Sequence, residues 1–499
     1  MNRKRTRFEF ESIGLNENDP QPLFRQLEDY LRSAIQTGML PAGEKLPSTR
    51  QLASTLQVSR NTVISAYDQL ISEGYLDAAH GSGTRVSADI PELAAPVLAD
   101  AALPESTRQL EMELSSYGQT MAQFEDFVPD VGWPRPFRPH LPALDLFPLE
   151  AWRKLALSQV RLVDENQLSG VDPQGYKPLR QAIAEYMWAS RGVRCDEDQI
   201  LVTSGAQQGM ALLAQILLDQ GDTAGLEDPG YMPARQIFDL AGLKTVSLAH
   251  DEDGIRVDEL ARLPKKQRPR LIYTTPGGQW PLGMTMSLPR RLELLQYAKT
   301  NRVWLIEDDY NGEFRYVGRR LPAMTSLDQS GCVVYMGSFS KLTFPAIRLG
   351  FLVLPRQLAR TFSYARWLSD RFSPAIWQMV LCRFIQTGQF VKHLQKMRIA
   401  YAERQQTLCD ALRQRFGDQM HFTQQPSGMH LTVFGKTKRI ETALANSAKA
   451  ANIDFHPVSI YTHDPKRGAG LVLGFAAYDN AKIIEAVDCW YQAYCGVSV

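Results

Sequence analysis

Lys341 stands in the run Gly337-Ser338-Phe339-Ser340-Lys341, with Arg348-Leu349-Gly350 following and Glu307-Asp308-Asp309-Tyr310 upstream. A lysine amine condenses with an aldehyde once its pKa is depressed, and hydroxyls with a guanidinium suit an aldehyde that also carries a phosphate. Ser338, Ser340 and Arg348 supply those groups. Pyridoxal 5'-phosphate (PLP) is such an aldehyde, and its ring nitrogen asks for a carboxylate partner. Asp308 closes the apolar run Val303-Trp304-Leu305-Ile306, where a strand end would present it. Alone, Ser-x-Ser-Lys is more commonly a surface loop, so its weight rests on its companions.

The elements that must carry these residues divide the chain. At 499 residues it exceeds one ordinary domain. Its 44% apolar and 22% charged residues are those of a globular protein, and a net charge of +1 gives no whole-chain signal for nucleic acid or an anionic membrane. Cys195, Cys332, Cys382, Cys409, Cys489 and Cys495 are scattered without metal-type spacing, so reduced thiols and no metal site are expected. Basic Met1-Asn2-Arg3-Lys4-Arg5 is followed by no apolar segment, and no membrane-length apolar run occurs, which predicts a cytoplasmic protein.

After a tail, 1–20, residues 21–87 read as one unit. Leu23, Leu27, Leu31 and Ile35 recur at helical spacing up to Gly38; a second helix follows a Ser48 cap, and a third runs from Ser59 to Glu73. Two short helices joined by a tight turn, then two short strands around Gly81-Ser82-Gly83-Thr84, predict a winged helix-turn-helix. Its six Lys/Arg equal its six Asp/Glu, so bulk charge lends DNA binding no support and the motif must carry it. Residues 88–120, with Pro91, Pro96 and Pro104, read as a linker. From 121 to 499 helical runs alternate with the strands Ile200–Val202, Leu271–Tyr273, Val303–Ile306 and Val333–Tyr335. That alternation predicts an α/β fold with a mostly parallel sheet, and Met429–Val433 with Leu471–Phe475 predict a smaller C-terminal α+β subdomain.

Together these motifs are similar to one family. Residues 21–87 resemble the GntR type of winged helix, and the larger part resembles fold-type I, aminotransferase-like PLP proteins. The order resembles MocR-type transcriptional regulators, the group that includes GabR-like proteins. The resemblance implies a Schiff base between PLP and Lys341, Asp308 at the ring nitrogen, and Tyr310 at the phenolic oxygen. It also implies Tyr231 of Asp228-Pro229-Gly230-Tyr231 stacked on the ring. The phosphate would lie at the helix start Gly205-Ala206-Gln207 with Ser338, Ser340 and Arg348. A recognition helix enters the major groove with its first residues toward the bases, which selects Ser59, Arg60, Asn61 and Thr62. Arg60 suits guanine and Asn61 adenine, and both also suit phosphate. The resemblance adds Arg50, beside Ser48, and the wing residues Gly81, Gly83 and Thr84. A homodimer follows because fold-type I sites are built at a dimer interface.

Three positions depart from that pattern. Aminotransferases of this fold hold the substrate α-carboxylate with an arginine where this chain has Val472; Arg467, in a nearby loop, is a candidate substitute. Gly170 stands where a tyrosine would reach the neighbouring phosphate. In Gly277-Gly278-Gln279-Trp280-Pro281 the phenolic-oxygen asparagine is missing and Gly278 replaces a usual histidine, leaving Gln279 as a partial stand-in. These changes favour sensing PLP or an amine-bearing effector over turnover. The alternatives are a transaminase of a small amino compound with an autoregulatory DNA-binding domain, and a cofactor-free dimerisation scaffold.

Overall fold

The computed structural model describes residues 10–16, 19–79, 83–88, 113–122, 134–319 and 321–496. The chain divides into two compact units, Met1–Glu113 and Leu114–Val499. In the first, Leu27, Leu31, Ala34 and Ile35 bury one face of helix Leu23–Gln36, as their spacing predicts. Ser48 caps helix Thr49–Leu56 by accepting from the Gln51 N–H while the Gln51 side chain reaches back to Ser48, an arrangement that contributes about 1 kcal/mol. Gln57 adopts a left-handed backbone (φ 55°) and turns the chain. Ser59 then caps helix Arg60–Ser72, accepting from the Thr62 N–H at 3.1 Å.

Leu52, Val63, Ala66, Tyr67 and Leu70 join the first helix in one core. Strands Leu76–Ala79 and Gly83–Val86 pair antiparallel, completing the winged helix-turn-helix. Ile13 is buried in the same core with Phe10 packed against it, so part of the segment read as a tail contributes to this unit. Buried Glu28 meets Arg25 and Arg32, and Arg32 also meets Glu73, tying the first helix to the end of the third.

The second unit is built on a seven-stranded sheet. Its order is Ile200–Thr203, Gly350–Val353, Val333–Ser338, Trp304–Asp308, Leu271–Thr274, Thr223–Glu227, Lys244–Leu248. All neighbours pair parallel except Gly350–Val353, which runs against both of its partners. Strands such as Ile200–Thr203 and Val333–Ser338 are buried at every residue, the signature of a sheet covered on both faces. The long helix Gln389–Phe416 leads to a four-stranded antiparallel sheet ordered Met420–His421, His430–Gly435, Leu471–Gly474, His456–Pro457, the predicted α+β part. A short helix, Ser116–Ala122, lies within and just beyond the segment read as a linker. In open α/β sheets ligands collect at the carboxyl ends of the strands, and there the sequence candidates converge.

Candidate functional site

Lys341 lies on the short helix Phe339–Leu342, immediately after strand Val333–Ser338. It faces a cavity with Asp308, Tyr231, Tyr310, Ser338 and Ala206 in its wall. The Lys341 Nζ donates to the His140 carbonyl at 2.9 Å. Burial lowers this amine to about 8, with Asp308 opposing the shift and Arg348 adding to it. Near neutral pH a useful fraction of such an amine is uncharged, as condensation with an aldehyde requires.

Asp308 ends strand Trp304–Asp308, and one carboxylate oxygen, Oδ2, accepts from the Tyr273 hydroxyl at 2.6 Å. The other, Oδ1, is buried without a hydrogen-bond partner. Burial raises this carboxyl to about 7; the Tyr273 hydrogen bond and Lys341 pull it down while Asp309 pushes it up. An unpartnered buried oxygen is expensive, and a protonated ring nitrogen would satisfy it.

The strand ends are braced from behind. Asp309 pairs with buried Arg191 and accepts from the Tyr335 hydroxyl at 2.7 Å. Glu227 accepts from the hydroxyls of Thr274 and Thr275 at 2.6 and 2.7 Å.

At the other end of the cavity, helix Ala206–Leu217 starts at Gly205 (φ 110°). The N–H groups of Gly205, Ala206 and Gln207 precede the first intrahelical donor and form an anion-binding terminus. A Cβ on Gly205 would stand 3.2 Å from the Arg348 guanidinium, so the glycine keeps a cradle open between helix and arginine. The Ser340 hydroxyl is buried without a partner, and Ser338 lines the cavity. An unpartnered carboxylate oxygen, an unpartnered hydroxyl and a glycine-kept cradle fit PLP.

Two further candidates take distinct positions. Tyr310 lines the cavity and its hydroxyl donates to the Gly278 carbonyl at 2.8 Å. Gln279 points away from the cavity: its amide donates to the carbonyls of Pro229 and Trp280, both at 2.6 Å, so it braces two loops instead of standing in for the asparagine. The glycine departures are matched by neighbours. A Cβ on Gly278 would lie 2.5 Å from the Asn311 Nδ2, and one on Gly170 (φ 141°) would lie 3.0 Å from the Phe372 ring.

Sequence reasoning missed Tyr273, Thr275, Trp280 and His140 in this wall. Strand alternation carried a signal for Tyr273, which pairs across from Ile306, two residues before Asp308, and so shares its face. His140 had no such signal; its ring stacks on Trp280 with centroids 4.0 Å apart, and its backbone is left-handed at φ 68°.

In the first unit the candidates lie at the starts of helices Thr49–Leu56 and Arg60–Ser72 and on the wing. Arg50, Ser59, Arg60 and Asn61 are exposed, Thr62 is half-buried, and the Arg60 Nε lies 3.5 Å from the Thr49 hydroxyl. Ser48 and Ser59 serve as caps, so their side chains hold the helix starts. Gly83 (φ 89°) and Thr84 open the second wing strand, and Gly81 lies outside the described residues. Among the described residues no cluster suits a metal ion and no helix is long and apolar enough to cross a membrane.

Residues 23–86 match the family of bacterial regulatory proteins of the gntR type, and residues 142–464 match aminotransferase class I and II. A DNA-binding unit of the one kind fused to a domain of the other defines a class of transcriptional regulators. The probable rhizopine catabolism regulatory protein MocR of Rhizobium meliloti is 37% identical over 476 residues, 95% of this chain and 94% of that protein. The pyridoxine biosynthesis transcriptional regulator PdxR of Corynebacterium glutamicum is 29% identical, over 95% of this chain and 98% of its own. LysN, an α-aminoadipate aminotransferase of Thermus thermophilus solved with N-(5'-phosphopyridoxyl)-L-leucine, superposes with a TM-score of 0.68 at 28% identity. That match covers 77% of this chain and 97% of LysN. The chain belongs to the MocR-type family of transcriptional regulators, with a GntR winged helix and an aminotransferase-like domain.

Proposed function

We propose that this regulator binds PLP through Lys341 and uses that site to sense PLP itself or an amine-bearing effector. The observation that carries the reading is the buried pair of Lys341, with its lowered amine, and Asp308, with one oxygen unpartnered. When bound, PLP supplies an aldehyde to which amines add reversibly. Asp308, oriented by Tyr273, holds the ring nitrogen, and Tyr231 stacks on the ring. Tyr310 meets the phenolic oxygen. Gly205, Ala206, Gln207, Ser338, Ser340 and Arg348 hold the phosphate, and Trp280 with His140 excludes water above Lys341.

At the operator, Ser59, Arg60, Asn61 and Thr62 face base edges, where Arg60 and Asn61 also suit phosphates, Arg50 beside Ser48 adds a further contact, and the wing residues Gly83 and Thr84 approach the minor groove. The protein acts in the cytoplasm as a homodimer, so two winged helices read repeated half-sites. Ligand occupancy must favour one dimer arrangement over another, because a ligand that binds both equally shifts nothing. Val472, in the position of a carboxylate-holding arginine, disfavours the transaminase reading. The test is operator binding by the purified chain with and without PLP, in wild type and Lys341→Ala. Ligand-dependent binding in wild type and its loss of dependence in the variant support the reading; binding equally insensitive to PLP in both ends it.

A further inference from the structure

Behind the helix start at Gly205 stands a group of polar residues that lie outside the cavity wall. The Arg366 guanidinium, fully buried on helix Arg356–Asp370, donates to the Ser373 hydroxyl at 2.9 Å and reaches the Ser204 hydroxyl and the Val202 carbonyl at 3.4 Å. The two hydroxyls meet at 3.1 Å. On the other side of the same corner, the Gln208 side chain accepts from the Ser204 N–H at 2.8 Å and donates to Asp370 at 2.9 Å. Asp370 in turn pairs with Arg366, which closes a ring. Ser204, the residue before Gly205, is thus held at its hydroxyl and at its backbone by the end of one helix.

That helix ends in an uncommon way. Arg371 has φ 64° and ψ −72°, and the Phe372 N–H donates to the Asp370 carbonyl at 2.8 Å, which together make a γ-turn of the rare, strained hand. Such a backbone persists only where its surroundings over-determine it, and strain of this kind concentrates at functional sites. Here the turn delivers buried Ser373 to Arg366 and Ser204, and Gln378 donates to the Ser373 carbonyl at 2.7 Å.

We propose that Arg366 is a positioning residue for the cofactor phosphate, acting through Ser204 and Ser373 to fix the corner from which Gly205, Ala206 and Gln207 aim their N–H groups. This rests on the cofactor reading above and deepens it. N–H groups at a helix start hold a phosphate best when several converge on it together, so freedom at Ser204 is freedom in the cradle. Gly205 makes the corner sensitive, because at φ 110° it has no Cβ to limit its backbone. Without the clamp the corner would have to order as the phosphate arrives, which weakens binding.

The test separates phosphate from ring. PLP and 5'-deoxypyridoxal, which keeps the ring and aldehyde and lacks the phosphate, are each titrated by absorbance into the full-length chain, so the ratio of their affinities reads the cradle. Ser204→Ala is expected to lower that ratio about threefold to tenfold, and Arg366→Met about tenfold or more, with affinity for 5'-deoxypyridoxal within about twofold of wild type. A residue that only supports the fold would lower Tm and weaken both compounds alike. A ratio unchanged in Ser204→Ala and in Arg366→Met, both folded by circular dichroism, overturns the proposal. Where Arg366→Met does not fold, Ser204→Ala and Ser373→Ala decide in the same way, since each removes a single hydroxyl. A wild type in which borohydride reduction and mass mapping find no cofactor on Lys341 brings down the cofactor reading as well.

Discussion

Tyr273→Phe removes one oxygen from the wall of the cavity and nothing from its shape. Tyr273 and Asp308 are 1% and 5% exposed, and their 2.6 Å hydrogen bond lies in surroundings where charge is poorly screened. A hydrogen bond to a charged group contributes about 1.5–3 kcal/mol, and a loss of about 2 kcal/mol is about 30-fold in an equilibrium constant. Tyr273 also holds Asp308 when no cofactor is bound, so part of that loss falls on both states and cancels. What remains is the share due to the charge: without Tyr273, Asp308 rises further above about 7 and is a weaker partner for a ring nitrogen. The expected weakening of PLP binding lies between about 3-fold and 30-fold at pH 7.5. Absorbance titration of cofactor-free wild type and variant measures it, with circular dichroism to establish equal folding. Affinities within twofold of each other would refute the assignment of Asp308 to the ring nitrogen.

Asp308→Asn separates stability from binding. The folded pKa of this carboxyl, about 7, lies above the usual value of about 4, so its buried charge costs nothing below pH 4. The cost grows between pH 4 and 7 and is complete above 7. Without cofactor, the variant's Tm relative to wild type is therefore expected to rise from pH 4.5 to pH 8, while its PLP affinity falls; a pH-independent difference in thermal scans would contradict this. Gly278→His is expected to destabilise by about 1–3 kcal/mol, since its Cβ meets Asn311 at 2.5 Å, and Asn311→Gly is expected to recover most of that in urea denaturation. In the first unit, Arg60→Ala is expected to weaken operator binding by about 1–3 kcal/mol. If the contact is to phosphate, the slope of affinity against salt falls by about one; if it is to a base, discrimination at one position relaxes. Ser59→Ala is expected to lower the stability of the winged helix by about 1 kcal/mol, because the Thr62 N–H loses the Ser59 hydroxyl that accepts from it.

Much of this arrangement was legible because local chemistry and global fold agree in it. Ser48 and Ser59 announce helix starts by their own hydrogen bonds, and the buried strands around Lys341 and Asp308 read as continuous apolar runs. Residues that reach the cavity from far along the chain were not legible. His140 sits in a proline-rich segment without periodicity, and only tertiary packing lays it on Trp280 and against Lys341. Gln279 was read as a partial stand-in for the missing asparagine, whereas its buried amide donates to the nearer carbonyls of Pro229 and Trp280. The buried Ile13 was missed because Phe10, Ile13 and Leu15 are too few and too unevenly spaced to set a period.

The central claim is that one amine, Lys341, holds PLP covalently in a DNA-binding protein. Purified full-length chain incubated with PLP, reduced with borohydride and digested, is predicted to carry the phosphopyridoxyl mass on the peptide containing Lys341 and to lose it in Lys341→Ala. Absence of that mass, or equal labelling of other lysines, would contradict the account.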